Sequence, residues 1–211
     1  MEPVLQEIYD SILNGQQKVT SAKVQEALAQ GIALMTWTYD PLLALNANLN
    51  LVRLGTIARH YIENAYGDMT DALNAGLPSD RFQVEWWMNT PRVQARVDAP
   101  PARQNWDTVM HSRAQPVFDV TLDARGLPRI ERVNDGDSHD RWLEIPFNLD
   151  AVKSVDSALA LDWRMRTRNA FQKLFAAGYI VHDFVLTTDP APSRRAAYLL
   201  TRQPLDPGTL A

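Results

Sequence analysis

Chemistry in this chain has to come from a narrow set of side chains. Cysteine is absent, which removes disulfides, thiolate metal sites, iron–sulfur clusters and a thiol nucleophile together. The stretch Asn134-Asp-Gly-Asp-Ser-His-Asp140 gathers carboxylates and one imidazole. It is the one run with the oxygen content of a cation loop, but it lacks the glycine and glutamate positions of an EF-hand. A polar hairpin turn at Asp135-Gly136 is the simpler reading. His182 alternates with Ile180 and Phe184 along an apolar strand, the setting of a core histidine. Arg164 and Arg168 share a helix face, and Arg194-Arg195 follow a turn. No Gly-x-Ser-x-Gly elbow is present to present a nucleophilic serine. Asn46 and Asn50, four residues apart, fall on one face of a helix.

The elements that must carry these groups follow from periodicity. Apolar residues Val4, Leu5, Ile8, Tyr9 and Ile12 form a helical stripe, ended by Asn14-Gly15. A second helix spans about 20–30, with Gly31 as its stop. Residues 32–39 read as a buried strand, 43–54 as a helix ended by Gly55, and 56–66 as a strand. Residues 68–80 read as a loop, 82–88 as a strand, and 118–122 with 127–130 as a hairpin. A short strand at 142–146, a long helix at 149–177 and strands at 179–187 and 196–201 complete the chain. Helices and strands alternating in this way predict a mixed α/β fold, a partial sheet flanked by helices with a C-terminal extension.

Composition sets outer limits. The 211 residues are 45% hydrophobic and 22% charged, enough for a packed core. The formal net charge of −4, without basic runs, argues against nucleic acid and against an anionic membrane surface. No apolar run approaches the roughly 20 residues that span a bilayer, and the N-terminus lacks a basic-then-apolar leader pattern, so a cytoplasmic location is expected.

Residues 26–87 carry a more specific signal. The segments Glu26-Ala-Leu-Ala-Gln-Gly31, Thr36-Trp-Thr-Tyr-Asp-Pro-Leu42 and Asn46-Ala-Asn-Leu-Asn-Leu-Val-Arg-Leu-Gly55 stand together. So do Asn64-Ala-Tyr-Gly67, Asp71-Ala-Leu-Asn-Ala-Gly-Leu-Pro-Ser-Asp-Arg81 and Val84-Glu-Trp86. This block resembles a bacterial branch of the GNAT superfamily of N-acyltransferases, one associated with N-acylamino-acid racemases. The resemblance implies transfer of an acetyl or succinyl group from an acyl-CoA to a small amine such as an amino acid, by direct attack and without a resident metal. It implies a cofactor laid between two diverging strands, with its pyrophosphate on a glycine turn opening a helix. In this sequence that turn would be Gly15 to Lys18, with Asn46 and Arg53 on the following helix as further cofactor contacts. Tyr61, Glu63 and Tyr66 lie where acid–base groups would stand, and Leu51 falls at the place of a thiol-protonating tyrosine. Asn74 and Arg81 would bind a substrate carboxylate, for which the guanidinium fork is suited.

The resemblance divides the chain into 1–88, the C-terminal half of such a domain; 89–116, a proline-rich excursion; 117–203, an extension; and 204–211, a tail. Only helix-like sequence precedes Gly15, so the N-terminal half of the fold is expected to be missing. Half a sheet leaves an open strand edge, which a homodimer would cover. The alternative expectation is a non-catalytic, GNAT-like fragment acting as an interaction module.

Overall fold

A computed structural model describes residues 3–67, 76–99, 104–187 and 194–203. Its elements confirm a mixed α/β architecture built on one seven-stranded sheet. Helices α1 (Pro3–Leu13) and α2 (Gln17–Ala29) form an antiparallel pair. Val4 and Ile8 of α1 meet Val24 and Ala27 of α2, the four- and three-residue spacings that put apolar side chains on one helix face. Gly15 makes the turn between them with φ +64°, a conformation that disfavours any side chain.

Strand β1 (Leu34–Tyr39) leads to α3 (Ala44–Ala47), which runs on as a π-helix (Asn48–Leu54). Sequence periodicity gave a single α-helix here. The wider turns are held from outside: Arg96 donates to the Leu51 carbonyl, and Arg92 to the carbonyls of Leu51 and Gly55. Gly55 ends the helix at φ +76°, and a Cβ there would lie 2.9 Å from Cδ of Arg96. Strands β2 (Ile57–Ile62) and β3 (Arg81–Trp87) follow.

The segment after β3 is more ordered than its prolines suggested. It contains α4 (Pro91–Asp98), with Thr90 capping the Val93 N–H, and α5 (Trp106–Met110), started by Asn105. Val93 and Val97 join the α1–α2 core, so much of 89–116 is packed rather than an excursion. Residues 100–103 lie outside the described part.

Strand β4 (Gln115–Pro116) precedes the separate hairpin β5 (Phe118–Leu122) and β6 (Pro128–Val133), which forms as expected. The Asp135-Gly136 stretch is not a hairpin turn. It carries the chain from the small sheet to β7 (Asp140–Pro146) in the large one. The long helix is two, α6 (Leu149–Val155) and α7 (Ser157–Ala176). Asp156 separates them in an extended conformation, its carboxylate accepting from the Leu159 N–H at 2.9 Å. Strands β8 (Ile180–Leu186) and β9 (Arg195–Thr201) close the fold.

The strand order is β1-β3-β2-β8-β9-β7-β4, antiparallel throughout except for β4 beside β7. Residues 1–88 and 117–203 therefore share one sheet, joined at β2 and β8. That join is thin: Ala58 and Val181 make its single ladder pair. Helices cover one face, where Phe82, Phe171, Phe184 and Tyr198 pack edge to face. On the other face α5 covers only the β7–β9–β8 part, through Val109 against Trp142, Val185 and Leu199. Strand β1 is one edge of the seven-stranded sheet. Among the described residues no helix is long and apolar enough to cross a membrane.

Candidate functional site

Two features among the described residues are candidates for a site. The first is an ionic cluster where α7 crosses β2 and the ends of β1 and β3. Asp80 is fully buried and accepts from Arg168 through both oxygens, at 2.6 and 2.9 Å. It also accepts from the Tyr61 hydroxyl at 2.7 Å and from the Asn64 N–H at 3.0 Å. Burial alone would raise its pKa, but these donors and the nearby Arg164 outweigh it and hold the carboxyl below the usual range. Asp40, at the end of β1, pairs with Arg164 and with Arg81 at 3.6 Å. Arg168 also reaches Glu63 at 3.1 Å. Arg164 is 1% exposed, and its Nε and Nη1 find no hydrogen-bond partner among the described residues.

Four of the residues expected to act on substrate meet at this cluster, already engaged. The Tyr61 hydroxyl donates a hydrogen bond to Asp80, and burial together with that carboxylate raises its pKa, which removes it as a titrating acid or base near neutrality. Glu63 is taken up by Arg168 and Gln172. Arg81 lies over the Tyr66 ring, 4.9 Å from its centroid. Tyr66 itself is exposed, its pKa lowered by hydrogen bonding to Thr38 and by Arg81. Asn74 lies outside the described residues.

The second feature is open space. A cavity of about 300 Å³ lies between the α3–π helix and the end of β8. Leu45, Asn48 and Val52 form its helical wall, spaced three and four residues apart. Phe184, Leu186 and Thr187 form the opposite wall, and Arg194 stands at its rim. The cavity exists because β8 leaves β2 after the Ala58–Val181 pair and runs past the helix instead.

The residues expected to hold the cofactor are elsewhere. Asn46 is exposed and does not line the cavity; its carbonyl accepts from Asn50. Asn50 is buried and accepts from the Trp37 indole at 2.7 Å, a structural role. Arg53 is exposed. Gly15, in the α1–α2 turn, and Lys18, in the first turn of α2, are exposed and do not line the cavity. Leu51 is core. Asn48, two residues further along the helix and therefore on a different face from Asn46, is the asparagine that lines the cavity.

Of the remaining candidates, His182 is half-buried on β8, where burial pushes its pKa down to about 4, with the Arg92 and Arg96 cations adding to the effect and Asp183 opposing it. In the 134–140 loop, Asp137 is paired with Arg202 and His139 with Asp140, and no group of three His, Asp or Glu able to hold a metal occurs among the described residues. The cavity residues carry little sequence signal: Leu45 and Val52 read as ordinary helix apolars. No protein-family model matches the chain, nor does any curated protein or solved structure.

Proposed function

We propose that the chain transfers an acyl group from coenzyme A to a small amine, with the thioester arm lying along the α3–π helix. The observation that carries this reading is the cavity walled by Leu45, Asn48 and Val52, beside two strands that separate after one ladder pair. The sequence resemblance asks for such a groove between a helix and diverging strands. Asn48 and Thr187 offer side-chain amide and hydroxyl groups to a pantetheine amide, and Arg194 offers a cation to phosphate. The strands that diverge here, β2 and β8, are antiparallel.

The step itself needs no covalent intermediate. The amine nitrogen attacks the thioester carbonyl, the carbon–sulfur bond breaks, and the proton lost by nitrogen ends on the departing sulfur. The ionic cluster then serves to fix α7 on the sheet rather than to exchange protons, since its carboxylates and Tyr61 are all engaged. The test is a thermal-shift titration of the whole chain with acetyl-CoA and succinyl-CoA. A ligand that binds only the folded state raises its melting temperature; no shift at millimolar ligand removes the reading.

A second reading, an interaction module, is favoured by strand β1. The Met88 N–H bonds the Ala33 carbonyl, so Leu34, Thr36 and Thr38 turn their backbone groups to the free edge. The strand has no charge, proline or glycine, whereas the opposite edge is two residues long and ends in Pro116. A second copy pairing antiparallel through β1 would satisfy these groups. Sedimentation of the purified chain decides it: a dimer supports this reading and a strict monomer at high concentration removes it.

A further inference from the structure

Two arginines of α4 stand side by side with one acid to serve both. Arg92 and Arg96 are four residues apart, and both donate to the Leu51 carbonyl. Arg92 also donates to the carbonyls of Gly55 and His182, and Arg96 reaches the Asp183 carboxylate at 3.4 Å. Asp183 is 5% exposed and is shared further: it accepts from Gln104 at 3.1 Å and from the Phe184 N–H at 2.9 Å.

Holding carbonyls does not call for this arrangement. A carbonyl needs a donor rather than a charge, and a partly buried cation without a counter-charge is costly. Asp183 is the one carboxylate that acts on either guanidinium among the described residues, so the pair carries a surplus of one positive charge. Burial and the neighbouring Arg96 push the Arg92 pKa down to about 10 against the pull of Asp183. His182 beside them is neutral, its pKa lowered to about 4 by burial with the same two cations contributing, so it adds no charge. Donors also remain. Nη1 of Arg92 and Nε of Arg96 have no hydrogen-bond partner among the described residues, and both keep contact with solvent.

We infer that Arg92 and Arg96 form a seat for a phosphate group, where α4 meets the end of the π-helix and the start of β8. A tetrahedral oxyanion takes donors from both guanidinia and supplies the missing counter-charge. The group can belong to inorganic phosphate or to a larger phosphorylated ligand. Gln104 bonds Asp183 and also lines the cavity beside the π-helix, so two side chains link the seat to that space. A ligand of the coenzyme A type would set a phosphate here and its arm in the cavity; that part rests on the acyl-transfer reading, and the seat does not.

The experiment is isothermal titration of the whole chain with pyrophosphate, inorganic phosphate, acetate and coenzyme A, at one ionic strength fixed with chloride. It is repeated on Arg96→Gln and on Gln104→Glu, an exposed position that brings a second carboxylate to the pair. Both phosphates are expected to bind saturably, at least about ten-fold more tightly than acetate, and Arg96→Gln to weaken them about ten-fold, the value of a charged hydrogen bond. Gln104→Glu cancels the surplus charge while leaving both arginines on the π-helix. It is expected to weaken the phosphates about ten-fold or more in a chain that still unfolds cooperatively, and it decides the matter alone if Arg96→Gln does not fold. No saturable phosphate binding to the wild type, acetate bound as tightly as phosphate, or undiminished phosphate affinity in Gln104→Glu overturns the seat. Displacement of pyrophosphate by coenzyme A supports the seat and gives it to the coenzyme. Pyrophosphate binding without coenzyme A binding keeps the seat and removes acyl transfer; coenzyme A binding without phosphate binding does the reverse.

Discussion

Asp80 and Glu144 are both buried carboxylates held through two oxygens by an arginine, and they titrate in opposite directions. Asp80 lies low because Arg168, Tyr61 and the Asn64 N–H all donate to it and Arg164 stands near. Glu144 lies high because burial outweighs Arg195, its one cation, which is itself 42% exposed. Burial is common to both; the number of donors decides the sign. The ionic cluster is thus a closed clamp between α7 and the sheet. Glu144 instead lines a second cavity, beneath the β5–β6 hairpin, where Arg195 donates to both of its oxygens.

The largest test of this contrast is removal of each acid. Asp80→Ala leaves the largely buried Arg168 with only the exposed Glu63 as counter-charge and is expected to cost about 3–5 kcal/mol in urea unfolding. Glu144→Gln is expected to change stability by no more than about 1 kcal/mol, since burial already disfavours the charge it removes and Arg195 reaches solvent. Equal losses in the two variants would abolish the distinction.

The pH dependence sharpens it. Asp80 has a folded pKa below its ordinary 3.8, so its stabilisation is complete above that value and is lost as the pH falls through the folded one. Glu144 has a folded pKa above its ordinary 4.5, so stability declines as the pH rises from 4.5 through the folded value. Unfolding curves collected from pH 3 to 7 are expected to lose their acid-side slope in Asp80→Asn and the opposing slope in Glu144→Gln.

A smaller effect is expected at the helix that walls the first cavity. Gly55→Ala meets both a positive φ and the Arg96 Cδ at 2.9 Å, and is expected to cost about 1–3 kcal/mol by thermal unfolding. Smallest is Thr36→Lys on the free edge of β1, expected to shift stability by no more than about 0.5 kcal/mol. If β1 pairs with a second copy, the same change places like charges at the interface and yields a monomer by sedimentation.

Most elements were legible because their causes are local. The Val4–Ile8 stripe, Gly31 and Gly55 as helix ends, and the Asp123–Gly126 hairpin turn each follow from spacing or from one residue's backbone freedom. The misses have tertiary causes. The π-helix depends on Arg92 and Arg96, about 40 residues further along, reaching the Leu51 and Gly55 carbonyls. The break at Asp156 sits inside an apolar period that reads as one helix, and the carboxylate's use as a cap is visible only in the fold. Sequence reasoning set Tyr61, Glu63 and Tyr66 as acid–base groups and Asn74 with Arg81 as a separate carboxylate clamp; in the structure Tyr61, Glu63, Tyr66 and Arg81 stand at or beside one ionic cluster. It could not anticipate that Asp80, Arg164 and Arg168, from distant segments, would engage that region and leave the space beside Asn48.

The central claim is that the groove along the α3–π helix receives a coenzyme A thioester. Substituting Val52, which faces that groove, with a large side chain places bulk there; isothermal titration of acetyl-CoA into the wild type and into Val52→Phe is the direct measurement. The account predicts saturable binding to the wild type and at least about a ten-fold loss in a variant that still unfolds cooperatively. Undiminished affinity in Val52→Phe, or no heat of binding to the wild type, would contradict it.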